Sequence, residues 1–182
     1  MSAVGWAVAL VAAQRLAELV LARRNARRLR EAGAVEYGAG HYPLLVALHA
    51  GWLVALFALV PATEPVRWPA AAAFIALQPV RIWIIASLGG RWTTRILVPP
   101  ERPPVRTGPY RWMRHPNYAL VSAEIALLPL AFGAWTVALV FSVLNGALLA
   151  HRIRVENAAW RDFAGNGNFS GELPRSRQNE SI

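Results

Sequence analysis

The stretch "ALVSAEIALLPLAFGAWTVALVFSVLNGALLA" (residues 119–150) is almost wholly apolar, with a proline and a glycine near its middle. About 20 apolar residues in a helix cross a hydrocarbon core of roughly 30 Å. The stretch therefore predicts a hairpin of two membrane helices that turns within "PLAFGAW" (residues 129–135). Each half is short for a full crossing, so we expect helix tilt or flanking residues to make up the difference.

Three further apolar segments, at residues 4–22, 44–60 and 68–88, reach or approach the same length. Together with the hairpin they predict an all-α polytopic membrane protein with five transmembrane helices, of which helices four and five form the hairpin. The first segment has no basic region before it and contains Arg15 and Glu18, so we interpret it as mature structure rather than a signal peptide. We assign residues 1–164 to a single integral membrane domain and residues 165–182 to a polar tail.

The formal net charge of +9 comes from arginine alone, because the chain has no lysine. Outside the apolar segments the arginines follow helices one, three and five, and only Arg67 lies elsewhere. Under the positive-inside rule this places the N-terminus outside and the C-terminus in the cytoplasm. The arginines thus indicate topology and contacts with lipid headgroups, and we expect no nucleic-acid partner.

The absence of cysteine excludes disulfides and thiolate chemistry. The four histidines show no metal-binding spacing, and no glycine-rich phosphate motif is present. We therefore expect no metal site.

A few polar residues fall inside the predicted membrane helices, where ionisable groups are costly and mark functional sites by default. Arg15 and Glu18, three residues apart, can pair on helix one. Gln78 and Arg81 share a face of helix three, and Arg81 has no partner nearby in the sequence. The remaining two are Glu124 and Asn145. Hydrogen bonding between helices is the alternative role for all of them.

The segment "GPYRWMRHPNY" (residues 108–118) concentrates polar chemistry just before the hairpin. Pro116 suits the first turn of a helix, which predicts His115 as the N-cap, with free N–H groups that favour an anion. A turn at Gly108 would fold the loop over this helix start. The pattern predicts a pocket, or alternatively a girdle of interfacial aromatic residues, built from Tyr110, Trp112, His115 and Tyr118.

The segment "HRIRVENAAW" (residues 151–160) continues helix five out of the membrane. Arg152 and Glu156 share one helical face at i and i+4. Because helices four and five form a hairpin, this face returns to the interface that carries His115 and Tyr118. The two polar clusters are predicted to meet.

With these motifs in order, the chain resembles the isoprenylcysteine carboxyl methyltransferase-like integral membrane methyltransferases. "GPYRWMRHPNY" is similar to the family's RHPxY cofactor loop, and "RIRVEN" (residues 152–157) to its R-x-x-x-E-E element, with Asn157 at the second acidic position. The resemblance covers the C-terminal half, from "QPVRIW" (residues 78–83) onward. "EYGAGHYP" (residues 36–43) and "LGGRWTTRI" (residues 88–96) resemble the branch found beside type III polyketide synthases, whose members methylate alkylresorcinols or alkylpyrones.

The resemblance implies an S-adenosylmethionine-dependent O-methyltransferase in a bacterial inner membrane, with its active site facing the cytoplasm. Its acceptor would be lipophilic, either a prenylcysteine-type carboxylate or a phenolic or pyrone alkyl lipid, and membrane lipid is the other expected partner. The implied catalytic residues are His115, Arg152 and Glu156. The implied cofactor residues are Gly108, Tyr110, Arg114, His115, Pro116, Asn117, Tyr118 and Glu156. The implied acceptor-binding residues are Gln78, Arg81 and Trp92.

Two other functions remain open. A membrane sterol- or enone-type reductase can carry a similar RHPxY hairpin and binds NADPH, whose 2′-phosphate the arginines could hold. The shortness of the chain and the lone Glu156 favour methyl transfer. A non-catalytic membrane adaptor is the second alternative, and it would leave the meeting of the two polar clusters unexplained.

Overall fold

The computed structural model describes residues 2–100 and 104–165, which form a bundle of five α-helices with one small sheet. All five predicted helices are present, and the first and last extend beyond the apolar segments. The elements in chain order are α1 (Ala3–Glu31), β1 (Val35–Tyr37), α2 (Tyr42–Leu59), α3 (Trp68–Leu88), β2 (Ile96–Val98), α4 (Pro116–Leu130) and α5 (Trp135–Gly165). Apart from Gly165, the predicted polar tail lies outside the described residues.

Four segments of the described chain are long and apolar enough to cross a membrane: Ala3–Glu31, Ala39–Leu59, Trp68–Arg91 and Trp135–Asp162. The protein is therefore an integral membrane protein. Helix α4 has only 15 residues, which at 1.5 Å per residue is about 22 Å, less than a hydrocarbon core of about 30 Å. The fifth predicted crossing consequently stays a prediction.

Helices α4 and α5 pack against each other as the predicted hairpin. The turn between them contains Gly133 at φ 66°, a left-handed conformation that favours glycine. The Arg67 side chain lies where a Cβ on Gly133 would be. The Arg67 backbone N–H also donates to the Ala131 carbonyl at 2.8 Å. This contact ties the α2–α3 connection to the tip of the hairpin.

The expectation of an all-α fold is wrong in one respect, because β1 and β2 form a two-stranded antiparallel sheet. Val35 lies opposite Val98, and Tyr37 lies opposite Ile96. Strands of three residues are too short to show an alternating pattern, and their pairing depends on how the ends of α1 and α3 are brought together. Val155 and Ala159 of α5 pack against this sheet, which therefore supports the end of α5.

The bundle has three layers along its length. One end is an apolar core formed by Val4, Val11, Leu48, Trp52, Leu56, Phe74, Ile125, Leu128 and Val137. The middle holds an ionic layer, described next. The other end carries the sheet, the C-terminal ends of α1, α3 and α5, and the start of α4. Most of the arginines lie there, and we refer to it as the arginine-rich end.

The ionic layer consists of Gln14, Arg15, Glu18, Gln78, Arg81 and Glu124. Arg81 donates from Nε to Glu124 at 3.0 Å and from Nη1 to Glu18 at 3.0 Å. Arg15 pairs with Glu18 at 2.9 Å, as predicted, and with Glu124 at 2.6 Å. Arg81, which has no partner nearby in the sequence, thus pairs with carboxylates from α1 and α4. Two arginines balance two glutamates, so the layer carries no net charge.

Replacing Glu124 with alanine is expected to lower the free energy of unfolding by about 3–5 kcal/mol. Glu124 is 0% exposed and Arg81 is 2% exposed, so the variant leaves buried positive charge without its partner. Denaturant unfolding of the protein in detergent measures the change.

Glu31→Ala is the matched control, because it removes a carboxylate that pairs with Arg27 at 3.4 Å on an exposed surface. A surface pair of this kind contributes at most about 0.5 kcal/mol. Equal stability of the two variants would contradict a structural role for the ionic layer.

Candidate functional site

A cavity of about 1090 Å³ opens at the arginine-rich end and continues between α1 and α2. Ligand pockets usually measure about 300–1,000 Å³, so this one has room for two reactants. Its polar part, the mouth, is lined by Tyr110, Arg114, His115, Asn117, Tyr118, Arg152, Glu156 and Trp160. Its apolar part, the arm, is lined by Ala12, Leu16, Leu19, Leu45, Val46, Ala50 and Leu53.

The Tyr118 hydroxyl joins α4 to α5 in the wall of the mouth. It donates to Glu156 Oε2 at 2.5 Å and accepts from Arg152 Nε at 2.8 Å. The predicted meeting of the two polar clusters is therefore confirmed, with the Tyr118 phenol between Arg152 and Glu156. One hydroxyl contacts both a cation and an anion, which fixes the orientation of all three side chains.

His115 lies beside this group. Its ring stacks on Tyr118 with centroids 5.1 Å apart, and its Nδ1 is 3.8 Å from Glu156 Oε2. Burial lowers the pKa of His115; the Glu156 charge raises it and the Arg114 charge lowers it further. Its Nε2 is buried and has no partner among the described residues. The imidazole is thus held neutral, with one nitrogen left for a ligand.

His115 is the N-cap of α4, as predicted, with φ −128° and ψ 59°. The expectation of several free N–H groups at this helix start is wrong. The N–H groups of Tyr118 and Ala119 donate to the His115 carbonyl at 3.1 and 3.3 Å, and Pro116 has none. Within the described chain, the Asn117 N–H alone remains available in the first turn.

Gly108 holds the loop of the mouth close to α3. It has φ 56°, and a Cβ at this position would collide with the Ser87 side chain. Trp112 packs edge-on against Trp83 at 5.6 Å and is 70% exposed. Both Trp112 and Tyr110 line the cavity, but the high exposure of Trp112 also fits the girdle interpretation. Burial, with a smaller effect of the Glu156 charge, raises the pKa of Tyr110, so its hydroxyl stays protonated.

Arg152 is held from a second side by the segment before β2. Its Nη2 donates to the Thr94 carbonyl at 2.9 Å, and Thr94 Oγ1 is hydrogen-bonded to the Tyr42 hydroxyl at 3.1 Å. Arg95 lies over the Tyr42 ring at 4.3 Å and pairs with Glu36 at 2.5 Å. The "EYGAGHYP" and "LGGRWTTRI" segments thus meet behind Arg152.

Most of the predicted site residues line this one cavity, including Arg81 and Trp92 between mouth and arm. Gly108, Pro116 and Gln78 are not among its lining residues. Gly108 packs on α3 and Pro116 begins α4. Gln78 donates to Glu124 at 3.2 Å inside the ionic layer. The functional roles assigned to all of these residues stay predictions.

Three residues of the site, Tyr42, Thr94 and His49, were not expected from the sequence. Tyr42 and Thr94 support Arg152, and His49 lines the arm. His49 carried a usable signal, because it is an ionisable residue inside a predicted membrane helix. The sequence around Tyr42 and Thr94 gave no comparable signal, because the role of these two residues depends on the pairing of β1 with β2.

The model of the isoprenylcysteine carboxyl methyltransferase (ICMT) family matches residues 70–161, which include most of α3, all of α4, the cavity mouth and most of α5. The chain belongs to the ICMT family. The resemblance drawn from the RHPxY loop is therefore confirmed. Membership in the branch beside polyketide synthases stays a prediction.

Two bacterial relatives match nearly their whole length. "Uncharacterized protein YpbQ" of Bacillus subtilis (strain 168) is 40% identical over 161 residues, which cover 86% of this chain and 96% of that protein. "Uncharacterized protein" of Haemophilus influenzae (strain ATCC 51907 / DSM 11121 / KW20 / Rd) is 28% identical over 158 residues, 83% of this chain and 91% of that protein. No solved structure gives a significant match. Family membership points to a membrane methyltransferase. Members of the ICMT family use S-adenosylmethionine.

The environment of His115 predicts a pKa below its ordinary value of about 6.5. Glu156→Gln should lower this pKa further, because it removes the charge that favours imidazolium, and Arg114→Gln should raise it. Titration of the histidine ring protons by NMR measures both shifts. Because the folded state binds this proton more weakly than the unfolded chain, stability should fall as the pH drops below about 6.5.

Arg27→Gln serves as the control, since Arg27 lies on an exposed stretch of α1 away from the cavity. It should leave the His115 titration unchanged. A higher His115 pKa in Glu156→Gln, or a lower one in Arg114→Gln, would show that the described geometry is incorrect.

Proposed function

We propose that this ICMT family protein transfers a methyl group from S-adenosylmethionine to an oxygen of a lipophilic acceptor. The observation that carries the proposal is a single cavity that joins the Tyr118–Glu156–Arg152 group to an apolar arm. A polar cofactor and an apolar acceptor need a polar and an apolar binding environment that adjoin each other. Methyl transfer also requires mainly that two reactants be held in line.

The mouth has the donor and acceptor set that S-adenosylmethionine needs. This cofactor supplies an electrophilic methyl group on a positively charged sulfur when it is bound. Tyr110 and Tyr118 can face the positive charge with their rings. Arg114 and the Asn117 N–H can hold the carboxylate, and Glu156 can accept from hydroxyl or amino groups. The orphaned, buried His115 Nε2 gives a further polar contact. Gly108 and Pro116 act by shaping the loop.

The arm suits a lipid chain that enters from the bilayer. It lies between α1 and α2, and two of its apolar lining residues, Leu16 and Val46, are 63% and 41% exposed. We assign acceptor binding to Trp92 and Arg81, which line the cavity between arm and mouth, and a supporting role to Gln78 in the ionic layer.

The catalytic roles follow from the acceptor's chemistry. A carboxylate is ionised at neutral pH, and Arg152 would hold it by charge-assisted hydrogen bonds. A phenol with a pKa of about 10 needs a base or a stabilised oxyanion. A neutral His115 or the Glu156 carboxylate can take that proton, and Arg152 can stabilise the resulting oxygen anion. Both acceptor classes are compatible with the same three residues.

The proposed orientation follows the positive-inside rule. The clusters after α1, α3 and α5 lie together at the arginine-rich end, so this end would face the cytoplasm and the N-terminus would lie outside. The mouth then opens to the compartment in which S-adenosylmethionine is made. A bacterial inner membrane is the proposed location.

Equilibrium binding to the detergent-purified protein tests the cofactor assignment. S-adenosylhomocysteine should bind with a Kd in the micromolar range, and Glu156→Ala should weaken it at least roughly 10-fold, the loss expected for one charge-assisted hydrogen bond. Glu31→Ala, remote from the cavity, should bind like the wild type.

NADPH is measured in parallel. Binding of NADPH without S-adenosylhomocysteine would replace the proposal with a reductase. Binding of neither would favour a non-catalytic adaptor.

A further inference from the structure

Asn145 places an unpaired hydrogen-bond acceptor beside the cavity, within the membrane part of α5. Its Nδ2 donates to Ser122 Oγ at 3.1 Å, and Ser122 Oγ donates to the Tyr118 carbonyl at 2.9 Å. Since the hydroxyl has one proton and a carbonyl only accepts, Ser122 must accept from Asn145. The atom left over on Asn145 is therefore the amide oxygen. Asn145 is 1% exposed, and its Oδ1 has no partner among the described residues.

His49 places a second acceptor in the arm. Its Nδ1 lies 2.8 Å from the Leu45 carbonyl, so Nδ1 carries the proton. Arg15 and Arg81 act electrostatically on the ring, and a third positive charge at this depth in the membrane would be costly. The imidazole is therefore neutral, with a free electron pair on Nε2. No hydrogen bond to Nε2 is found within residues 2–100 and 104–165.

The ionic layer next to these acceptors determines which ligand charge the arm can tolerate. Arg15 and Arg81 are balanced by Glu18 and Glu124, so a carboxylate or an ammonium group would add an uncompensated charge. The layer still offers a donor, the buried Arg15 Nε, which has no hydrogen-bond partner in the described part of the chain. Two acceptors and one donor without net charge match a hydroxyl group, which can donate one hydrogen bond and accept others.

We propose that His49, Asn145 and Arg15 form a polar subsite in the arm that binds an uncharged hydroxyl group of a lipid. The hydroxyl donates to His49 Nε2 or Asn145 Oδ1 and accepts from Arg15. Tyr118 and Glu124 both lie on α4. At a rise of 1.5 Å per residue, Glu124 in the ionic layer is about 9 Å further along the helix, towards the apolar end of the bundle, than Tyr118. The identity of this lipid as the methyl acceptor rests on the proposed function, whereas hydroxyl binding in the arm does not.

Three probes with one chain length test the subsite: 4-dodecylphenol, 4-dodecylbenzoate and dodecylbenzene. At pH 7 the phenol is uncharged, the benzoate is ionised, and the hydrocarbon has no polar group. Binding is measured in lipid nanodiscs by tryptophan fluorescence without cofactor. The wild type should prefer the phenol to dodecylbenzene by roughly 5-fold, the equivalent of one net hydrogen bond, and its affinity for the benzoate should not depend on His49 or Asn145.

His49→Leu and Asn145→Leu each remove one acceptor at similar volume. Each variant should show a smaller preference for the phenol over dodecylbenzene and should bind dodecylbenzene as the wild type does. The double variant should show no preference for the phenol. His49→Gln, which restores an acceptor, should recover the preference. Leu16→Ala removes apolar contact from the same arm and should weaken all three probes alike.

Benzoate binding that is tighter than phenol binding and that is weakened by His49→Leu or Asn145→Leu would overturn the proposal, as would an unchanged phenol preference in the double leucine variant. S-adenosylhomocysteine binding by each variant verifies that the fold and the mouth are intact. Failure of the wild type to bind S-adenosylhomocysteine, with the phenol preference retained, would overturn the methyltransferase proposal and leave the hydroxyl subsite standing.

Discussion

The pairing of Arg81 with Glu124 inside the membrane is the constraint on which the rest of the structure depends. A buried charge in hydrocarbon must be compensated, and Arg81 and Glu124 are 2% and 0% exposed. Because Arg15 and Glu18 join the same network, α1, α3 and α4 are fixed at one relative height. The layer divides the bundle into a packed apolar end and an end that encloses a cavity.

The mouth of the cavity depends on a second set of contacts, at the level of Tyr118. One phenol hydroxyl contacts Glu156 and Arg152, so the start of α4 determines where the end of α5 presents its charges. The small sheet holds α5 from the opposite side through Ala159. A polar mouth held by these contacts thus adjoins an apolar arm. Under the proposed function, this arrangement would bring a water-soluble cofactor to a lipid-soluble acceptor.

Local signals in the sequence anticipated much of this architecture. Long apolar runs gave the helices, Pro129 and Gly133 marked the hairpin turn, and Pro116 marked the start of α4. The hairpin connectivity also implied that the RHPxY loop would meet the Arg152–Glu156 face, as it does. Strands of three residues gave no signal, and the free N–H groups expected at α4 are reduced by the tight first turn.

The sequence by itself determined the membrane class, the helices, the arginine asymmetry and the two polar segments of the site. These properties depend on composition, length and spacing within single elements. Only the tertiary structure decided the partners of the membrane charges: Arg15 and Glu124 are separated by 109 positions, and Arg81 binds carboxylates from two other helices. It also revealed which atoms lack a hydrogen-bond partner among the described residues, as at His49 and Asn145. Such partners depend on the rotation and height of each helix in the bundle, which no local pattern specifies.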